Sequence, residues 1–154
     1  MKFMEIERKY LISTPPEDYR SYPYRWIEQA YLCTDPVVRI RRDDGRYYLT
    51  YKSKGLLVRE EYNLPLTEDA YFHLLQKADG IVLQKRRYLI PIDGTGLTIE
   101  LDIFEGQYEG LMLAEVEFPS EEEANAFTPP AWFGEDVTDS GLYQNSRLSE
   151  GKLG

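Results

Sequence analysis

The sequence predicts a mainly β fold of the α+β type: a closed eight-stranded antiparallel β-barrel with a few helices outside it and at its mouth. Eight segments alternate between polar and apolar residues. Short turn sequences such as Asp43-Asp44-Gly45 and Lys54-Gly55 separate them, which favours antiparallel neighbours. Most of these segments contain charged residues two positions apart, and residues two apart on a strand share one face. We therefore expect one charged face and one apolar face.

The predicted strands cover residues 2–12, 24–33, 37–42, 46–54, 57–64, 81–92, 96–104 and 111–118. A capped amphipathic helix is predicted over residues 68–79, with Thr67 before it and Gly80 after it. Ser120 and Glu123 form a capping box that predicts a shorter helix through Phe127. Residues 15–21 and 139–148 show weaker helix signals.

Length and composition fit one domain over residues 1–154, with 42% hydrophobic and 29% charged residues. No apolar run is long enough to cross a bilayer, and the first residues lack the apolar stretch of a signal peptide. The single cysteine, Cys33, cannot form an internal disulfide and suits a reducing compartment. We expect a cytoplasmic protein that does not bind membranes.

The charged rows hold equal numbers of basic and acidic residues. The basic residues are Lys9, Arg39, Arg41, Lys52, Arg59, Lys85 and Arg87. The acidic residues are Glu5, Glu7, Glu61, Glu100, Asp102, Glu115 and Glu117. The net charge of −9 therefore lies outside the rows. An acidic outer surface disfavours nucleic acid as a partner.

The charged faces could point outward, which is the usual arrangement of antiparallel sheets. Same-sign neighbours such as Arg39 and Arg41 would repel one another on such a surface, however. The helices also have apolar faces that an apolar barrel exterior would cover. We therefore predict a charged interior, with room for one small ligand. Buried charges without partners are costly, so this interior must hold water, ions and a charged ligand.

Several cations in one cavity suit a ligand with several negative charges, and arginine matches phosphate oxygens in bidentate geometry. Clustered carboxylates beside them suit a hard divalent cation such as Mg²⁺. Together these groups predict metal-assisted phosphoryl transfer. His73 is the only histidine and lies within the predicted 68–79 helix. We therefore do not expect a zinc site or a serine or cysteine triad.

Ordered motifs add a family resemblance. The N-terminal motif is Glu5-x-Glu7-x-Lys9. It is followed by Gln29-Ala30-Tyr31-Leu32, Val38-Arg39-Ile40-Arg41, Tyr51-Lys52, Arg59-Glu60-Glu61, Lys85-Arg86-Arg87-Tyr88, Asp102-Ile103-Phe104-Glu105-Gly106, Leu113-Ala114-Glu115-Val116-Glu117 and Val137-Thr138. In these residues and their order the sequence resembles the CYTH superfamily, the triphosphate tunnel metalloenzymes.

The resemblance implies a tunnel that holds a small-molecule triphosphate together with Mg²⁺ or Mn²⁺. The implied phosphate-binding residues are Lys9, Arg39, Arg41, Lys52, Arg59, Lys85 and Arg87. The implied metal ligands are Glu5, Glu7, Asp102, Glu115 and Glu117, with Glu61 and Glu100 as weaker candidates. The implied catalytic residues are Glu5, Glu7, Lys9 and Glu117. We assign no side-chain general base and expect a water on the metal to be the nucleophile.

Two positions depart from the family pattern. Asn63 replaces a carboxylate two residues after Glu61, which would weaken a second metal position. Ser140-Gly141-Leu142 stands where relatives have a basic residue before Tyr-x-Asn, and Arg147 and Lys152 are candidates to replace that cation.

The leading functional hypothesis is hydrolysis of inorganic tripolyphosphate, with slower action on nucleoside triphosphates. The alternatives are an adenylyl cyclase, a thiamine triphosphatase, or a non-catalytic module that binds polyphosphate or nucleotide. The sequence leaves both a monomer and a homodimer open.

Overall fold

A computed structural model describes residues 2–151, without the side chains of residues 2 and 3, and shows a closed antiparallel barrel. The strand order is β1-β5-β4-β3-β2-β6-β7-β8. The strands are β1 Lys2–Leu11, β2 Tyr24–Thr34, β3 Val37–Asp43, β4 Arg46–Lys52, β5 Val58–Pro65, β6 Asp79–Pro91, β7 Thr98–Glu105 and β8 Met112–Glu117. The helices are α1 Glu68–Leu75, α2 Glu121–Ala126 and α3 Asn145–Ser149. The predicted fold class is confirmed.

Strand β1 closes the barrel because its two halves pair with different neighbours. In the first half Glu5 lies opposite Arg59 of β5, and in the second half Glu7 lies opposite Glu117 of β8. Side chains from β1, from the middle of the chain and from β8 therefore lie next to one another inside the barrel.

Helix α1 is shorter than the predicted helix over 68–79. Thr67 caps it as expected, but the helix ends at Leu75, where Ala78 donates a backbone hydrogen bond to Leu75 in a tight turn. Gly80 is not the helix stop, because β6 already begins at Asp79. Gly80 has a φ of +72°, and a Cβ there would collide with the carbonyl oxygen of Ser149. Its small size therefore allows α3 to approach β6.

The other helix signals correspond to shorter elements. Residues 15–21 contain only a 3-10 turn at Tyr19–Ser21. In the 139–148 region, α3 begins at Asn145 and extends one residue further. In the described residues, no helix is long and apolar enough to cross a membrane.

The largest apolar cluster packs against the outer face of the barrel. Tyr10, Leu101 and Val116 are buried there, beneath Phe127 and Trp132 of the segment that follows α2. A second cluster, around Tyr71, packs α1 against the outer faces of β2 and β3. The apolar faces of the strands therefore point outward, which leaves the charged faces for the interior.

One end of the barrel is filled by apolar side chains. Along β2, Tyr31 is the next inward position after Gln29, and along β7, Phe104 is the next after Asp102. These residues form a cluster with Leu148 of α3, which we call the apolar cap: Tyr31, Val37, Leu83, Phe104, Leu113 and Leu148. The chain before α3 is held in place because Lys9 Nζ donates a hydrogen bond to the Tyr143 carbonyl at 3.0 Å.

Candidate active site

The barrel interior encloses a cavity of about 430 Å³. Apart from Lys85 and Asp102, the charged residues predicted to face inward line it. At the end near α3 it is bounded by Gln144, Asn145 and Ser146. A smaller hollow of about 280 Å³ adjoins this end and is lined by Lys52, Arg59 and Gln144 among others. The alternation of the strands has thus gathered charges from the whole chain into one space.

The arginines of β3 line the cavity and are oriented by neutral neighbours. Arg41 donates hydrogen bonds from Nε and Nη2 to Gln29 Oε1, at 2.8 and 2.6 Å. Arg39 Nη2 lies 3.2 Å from Thr50 Oγ1, while its Nε has no protein partner in the described structure. Burial and the nearby Arg41 lower the pKa of Arg39. These guanidinium groups are therefore fixed in position but not neutralised by carboxylates, which suits an anionic ligand.

Lys52 joins two carboxylates on the adjoining strands. Its Nζ lies 3.0 and 2.9 Å from the oxygens of Glu5 and 3.4 Å from Glu61. Arg59 also approaches Glu5, at 3.6 Å. Burial tends to raise the pKa of Glu5, but Lys52 and Arg59 outweigh it and the pKa is lowered. Glu5 is therefore ionised and already partnered.

Asp102 is fully buried and does not border the cavity. Arg87 donates to both of its oxygens, at 2.8 and 2.9 Å, and Lys85 Nζ lies 2.7 Å from Oδ2. Burial opposes ionisation, but these two cations lower the pKa of Asp102. Burial also lowers the pKa of Lys85 to about 8. Asp102 therefore orients the side chains of Arg87 and Lys85. Lys85 itself does not border the cavity.

Glu7 and Glu117 lie opposite each other on β1 and β8, and in the described structure neither forms a salt bridge. Burial, together with Glu115 and Glu5, raises the pKa of Glu7 well above its usual value. Glu117 keeps contact with solvent at the end of β8, yet partial burial and the carboxylates of Glu5, Glu100 and Glu61 raise its pKa to about 7. This part of the cavity has an excess of negative charge.

That excess fits a divalent cation. Carboxylates whose pKa values are raised by one another are stabilised in their ionised form when a metal binds between them. Within residues 2–151, however, no three acidic, histidine or cysteine side chains lie close enough together to coordinate one metal ion. Glu115 lies deeper, at 3.7 Å from both Lys9 and Arg87. The donor chemistry therefore fits a hard divalent cation, with Glu7 and Glu117 as the least compensated donors.

Sequence reasoning missed several residues in or behind the wall of the cavity. Gln29 and Thr50 do not line it but orient Arg41 and Arg39, and they are uncharged, so the pattern of charged rows did not include them. Arg25 and Arg46 also line the cavity. Counting back in steps of two from Lys52 along β4 would have found Arg46, whereas β2 contains no recognised charged row that would have indicated Arg25.

Arg147, one of the two candidates for the missing C-terminal cation, does not line the cavity. It lies 3.6 Å from Glu150 and is nearly half exposed. Lys152 lies outside the described residues. Asn63 does line the cavity, where its Nδ2 donates to Glu61 at 3.0 Å and its Oδ1 accepts a hydrogen bond from Thr50 at 2.6 Å.

A closed barrel whose interior sets arginines and lysines against clustered carboxylates defines a charged tunnel, and the sequence comparison agrees with it. Residues 4–146 match the CYTH domain family, and the chain belongs to that family.

Two similar proteins are both called inorganic triphosphatase. The one from Nitrosomonas europaea is 40% identical over 149 residues, which cover 94% of this chain and 96% of that protein. The one from Acetivibrio thermocellus is 36% identical over 152 residues, covering 94% and 92%. A crystal structure of an inorganic triphosphatase superposes with a TM-score of 0.72 at 37% identity and covers 97% of each chain.

Proposed function

We propose that this protein hydrolyses inorganic tripolyphosphate inside the barrel, with Mg²⁺ or Mn²⁺ as cofactor. The observation that supports this best is the division of the cavity into two parts. Among the described residues, Arg39 and Arg41 form no salt bridge on one side, and Glu7 and Glu117 form none on the other. A triphosphate bound with a divalent cation supplies the missing charge on both sides. The two similar inorganic triphosphatases point the same way.

The phosphate chain binds along the cationic side. Arg39, Arg41 and Arg87 present guanidinium groups whose positions are fixed by Thr50, Gln29 and Asp102. Lys9, Lys52 and Arg59 add positive charge nearer α3. Lys85 acts indirectly, through Asp102. Because these groups are already oriented, little reorganisation is needed as charge develops on the transferred phosphoryl group.

The cofactor binds on the acidic side. Glu7 and Glu117 are the principal ligands, and Glu5, Glu61 and Glu115 are available when a ligand draws their cations away. Asp102 is not included, because both of its oxygens are held by Arg87 and Lys85. When bound, the cation supplies neutralisation of phosphate oxygens and activation of a nearby water.

The protein's own side chains keep the substrate in place and limit solvent around it. The apolar cap and α3 cover one end, so water enters mainly from the other. Burial and neighbouring carboxylates raise the pKa of Glu7 and that of Glu117, so a cation bound beside them would favour their ionised forms. We assign no side-chain general base.

Tripolyphosphate is preferred over a nucleotide because the cavity has few aromatic residues to hold a base. Tyr31 and Tyr48 are the aromatic side chains among its described lining, and Tyr31 is part of the apolar cap. Nucleoside triphosphates are expected to be slower substrates. We further propose that the protein acts as a single domain in the cytoplasm, on a small-molecule substrate.

A substrate panel tests the proposal. Purified protein is incubated with tripolyphosphate, ATP and thiamine triphosphate, each with Mg²⁺, Mn²⁺ or EDTA, and phosphate, pyrophosphate and cyclic AMP are measured separately. We expect phosphate and pyrophosphate from tripolyphosphate, fastest of the three, and no turnover in EDTA. Cyclic AMP as the main product would identify a cyclase instead. Tight triphosphate binding without turnover in any metal would identify a non-catalytic binding module.

A further inference from the structure

Three neighbouring strands carry a row of hydrogen-bonded side chains across the inner face of the barrel. Arg39 of β3 lies opposite Thr50 of β4, and Thr50 lies opposite Asn63 of β5. Arg39 Nη2 donates to Thr50 Oγ1 at 3.2 Å, and Thr50 Oγ1 donates to Asn63 Oδ1 at 2.6 Å. Asn63 Nδ2 then donates to Glu61 Oε1 at 3.0 Å. The row therefore runs from a cation to a carboxylate through two neutral side chains, Thr50 and Asn63, which we call the neutral bridge.

The hydrogen-bonding groups of the neutral bridge all point in one direction. The single proton of the Thr50 hydroxyl goes to Asn63, which leaves the lone pairs of Thr50 for Arg39. The amide of Asn63 offers its oxygen to Thr50 and its nitrogen to Glu61. A carboxylate at position 63 could accept from Thr50, but it would have no proton for Glu61 and would add a like charge beside it. The amide of Asn63 therefore satisfies both of its neighbours.

The next inward row, toward α3, is paired differently. There Lys52 lies opposite Glu61 on the adjoining strand, and the two form an ion pair of 3.4 Å. Arg39, in contrast, forms no salt bridge among the described residues, although Glu61 is only one inward position from Asn63. Opposite charges in a buried site attract each other strongly. The neutral bridge holds one donor of Arg39 and one oxygen of Glu61, which opposes a direct ion pair between them.

We propose that Thr50 and Asn63 are positioning residues that keep Arg39 out of an ion pair with Glu61, so that its guanidinium remains available to a phosphate of the substrate. This inference rests on the proposed function, in which Arg39 binds the triphosphate. Thr50 is fully buried and does not border the cavity, so it acts on a ligand only through its neighbours. Asn63 does border the cavity, and its part is to hold Thr50 and Glu61 in place.

Binding measurements in EDTA test the neutral bridge without turnover. Isothermal titration calorimetry gives the dissociation constant for tripolyphosphate in the intact protein and in each variant. Valine has the shape of threonine but no hydroxyl, so Thr50→Val should raise this constant about tenfold, the effect of one charge-assisted hydrogen bond. Serine keeps the hydroxyl, so Thr50→Ser should bind within about twofold of the intact protein. Asn63→Leu removes both hydrogen bonds without adding charge and should weaken binding about as much as Thr50→Val.

A double-mutant cycle with Arg39→Met shows whether the effect passes through Arg39. In the Arg39→Met background, Thr50→Val and Asn63→Leu should each change the dissociation constant by less than about twofold. Equal losses with and without Arg39 would refute the proposal, because the bridge would then serve only the fold. Circular dichroism checks that each variant is folded. If Thr50→Val does not fold, Asn63→Leu at the cavity wall provides the same cycle.

The outcomes separate this inference from the proposed function. Unchanged tripolyphosphate affinity in both Thr50→Val and Asn63→Leu would refute the neutral bridge and leave the proposed function intact. If the intact protein binds no tripolyphosphate, with or without Mn²⁺, the proposed function itself fails.

Discussion

Asp102 accepts two hydrogen bonds from the guanidinium of Arg87, of 2.8 and 2.9 Å, and has no exposed surface. Lys85 donates a third hydrogen bond to it, at 2.7 Å. This carboxylate fixes an arginine that lines the cavity, and its removal would leave two buried cations uncompensated. We therefore propose that Asp102 positions Arg87 rather than binding the metal.

The first prediction concerns this buried group. Asp102→Asn leaves Arg87 and Lys85 without their counter-charge, so we expect the free energy of unfolding to fall by about 3 kcal/mol or more. Glu105→Gln is the control, because Glu105 pairs with Arg86 on the same two strands but at the exposed outer face. This exposed pair should change the free energy of unfolding far less. Urea denaturation measures both. A stable Asp102→Asn protein that has lost only metal affinity would restore Asp102 as a ligand.

The second prediction concerns Gln29, which orients Arg41 through one oxygen. In Gln29→Leu the guanidinium of Arg41 loses its acceptor, so we expect the KM for tripolyphosphate to rise about tenfold while kcat changes less. Steady-state phosphate release measures both constants. Gln84→Leu is the control, because Gln84 bonds Glu28 away from the cavity. Equal effects of the two substitutions would show that Gln29 has only a structural role.

The third prediction concerns Glu117. Glu117→Gln keeps the shape of the side chain but removes a charge from the acidic side, so we expect kcat to fall by about a hundredfold or more. Tripolyphosphate binding, measured by calorimetry in EDTA, should survive because the cationic side is intact. Glu121→Gln, in the exposed first turn of α2, is the control. Normal turnover in Glu117→Gln would remove Glu117 from the metal site.

The fourth prediction concerns the buried ammonium of Lys85, whose pKa burial lowers from 10.5 to about 8. The unfolded chain keeps this proton up to its ordinary pKa, so unfolding takes up a proton between pH 8 and 10.5. The free-energy cost of burying the charged ammonium is therefore fully present below pH 8, and it decreases as the pH rises from 8 to 10.5. Relative to Lys85→Met, the free energy of unfolding should increase by up to about 1.4 kcal/mol per pH unit. Parallel pH profiles would contradict the lowered pKa.

Strand alternation was enough to predict the barrel and the inward face of its charged residues, because one residue of slippage would exchange the two faces. It could not predict how far along the barrel interior each inward side chain lies, or whether that side chain borders the cavity. Tyr31 and Leu83 share the inward face with Gln29 and Lys85, yet they belong to the apolar cap. Asp102 is on the same face of β7 as Glu100. It does not border the cavity, however, because Arg87 and Lys85 surround its carboxylate.

The end of α1 and the C-terminal segment were harder to predict for a different reason. Gly80 looks like a helix stop in sequence, whereas its actual constraint is the approach of Ser149 from α3. Local patterns cannot register a contact between residues so far apart along the chain. The segment before α3 has little regular structure, and it is held by contacts such as that of Lys9 with Tyr143.

The most direct test is a crystal structure of the protein with tripolyphosphate and Mn²⁺, whose anomalous signal locates the metal. We predict the phosphate chain inside the barrel, in contact with Arg39, Arg41 and Arg87, and the ion between it and Glu7 or Glu117. Tripolyphosphate bound only on the outer surface, with the interior ion pairs undisturbed, would contradict a triphosphate-binding tunnel.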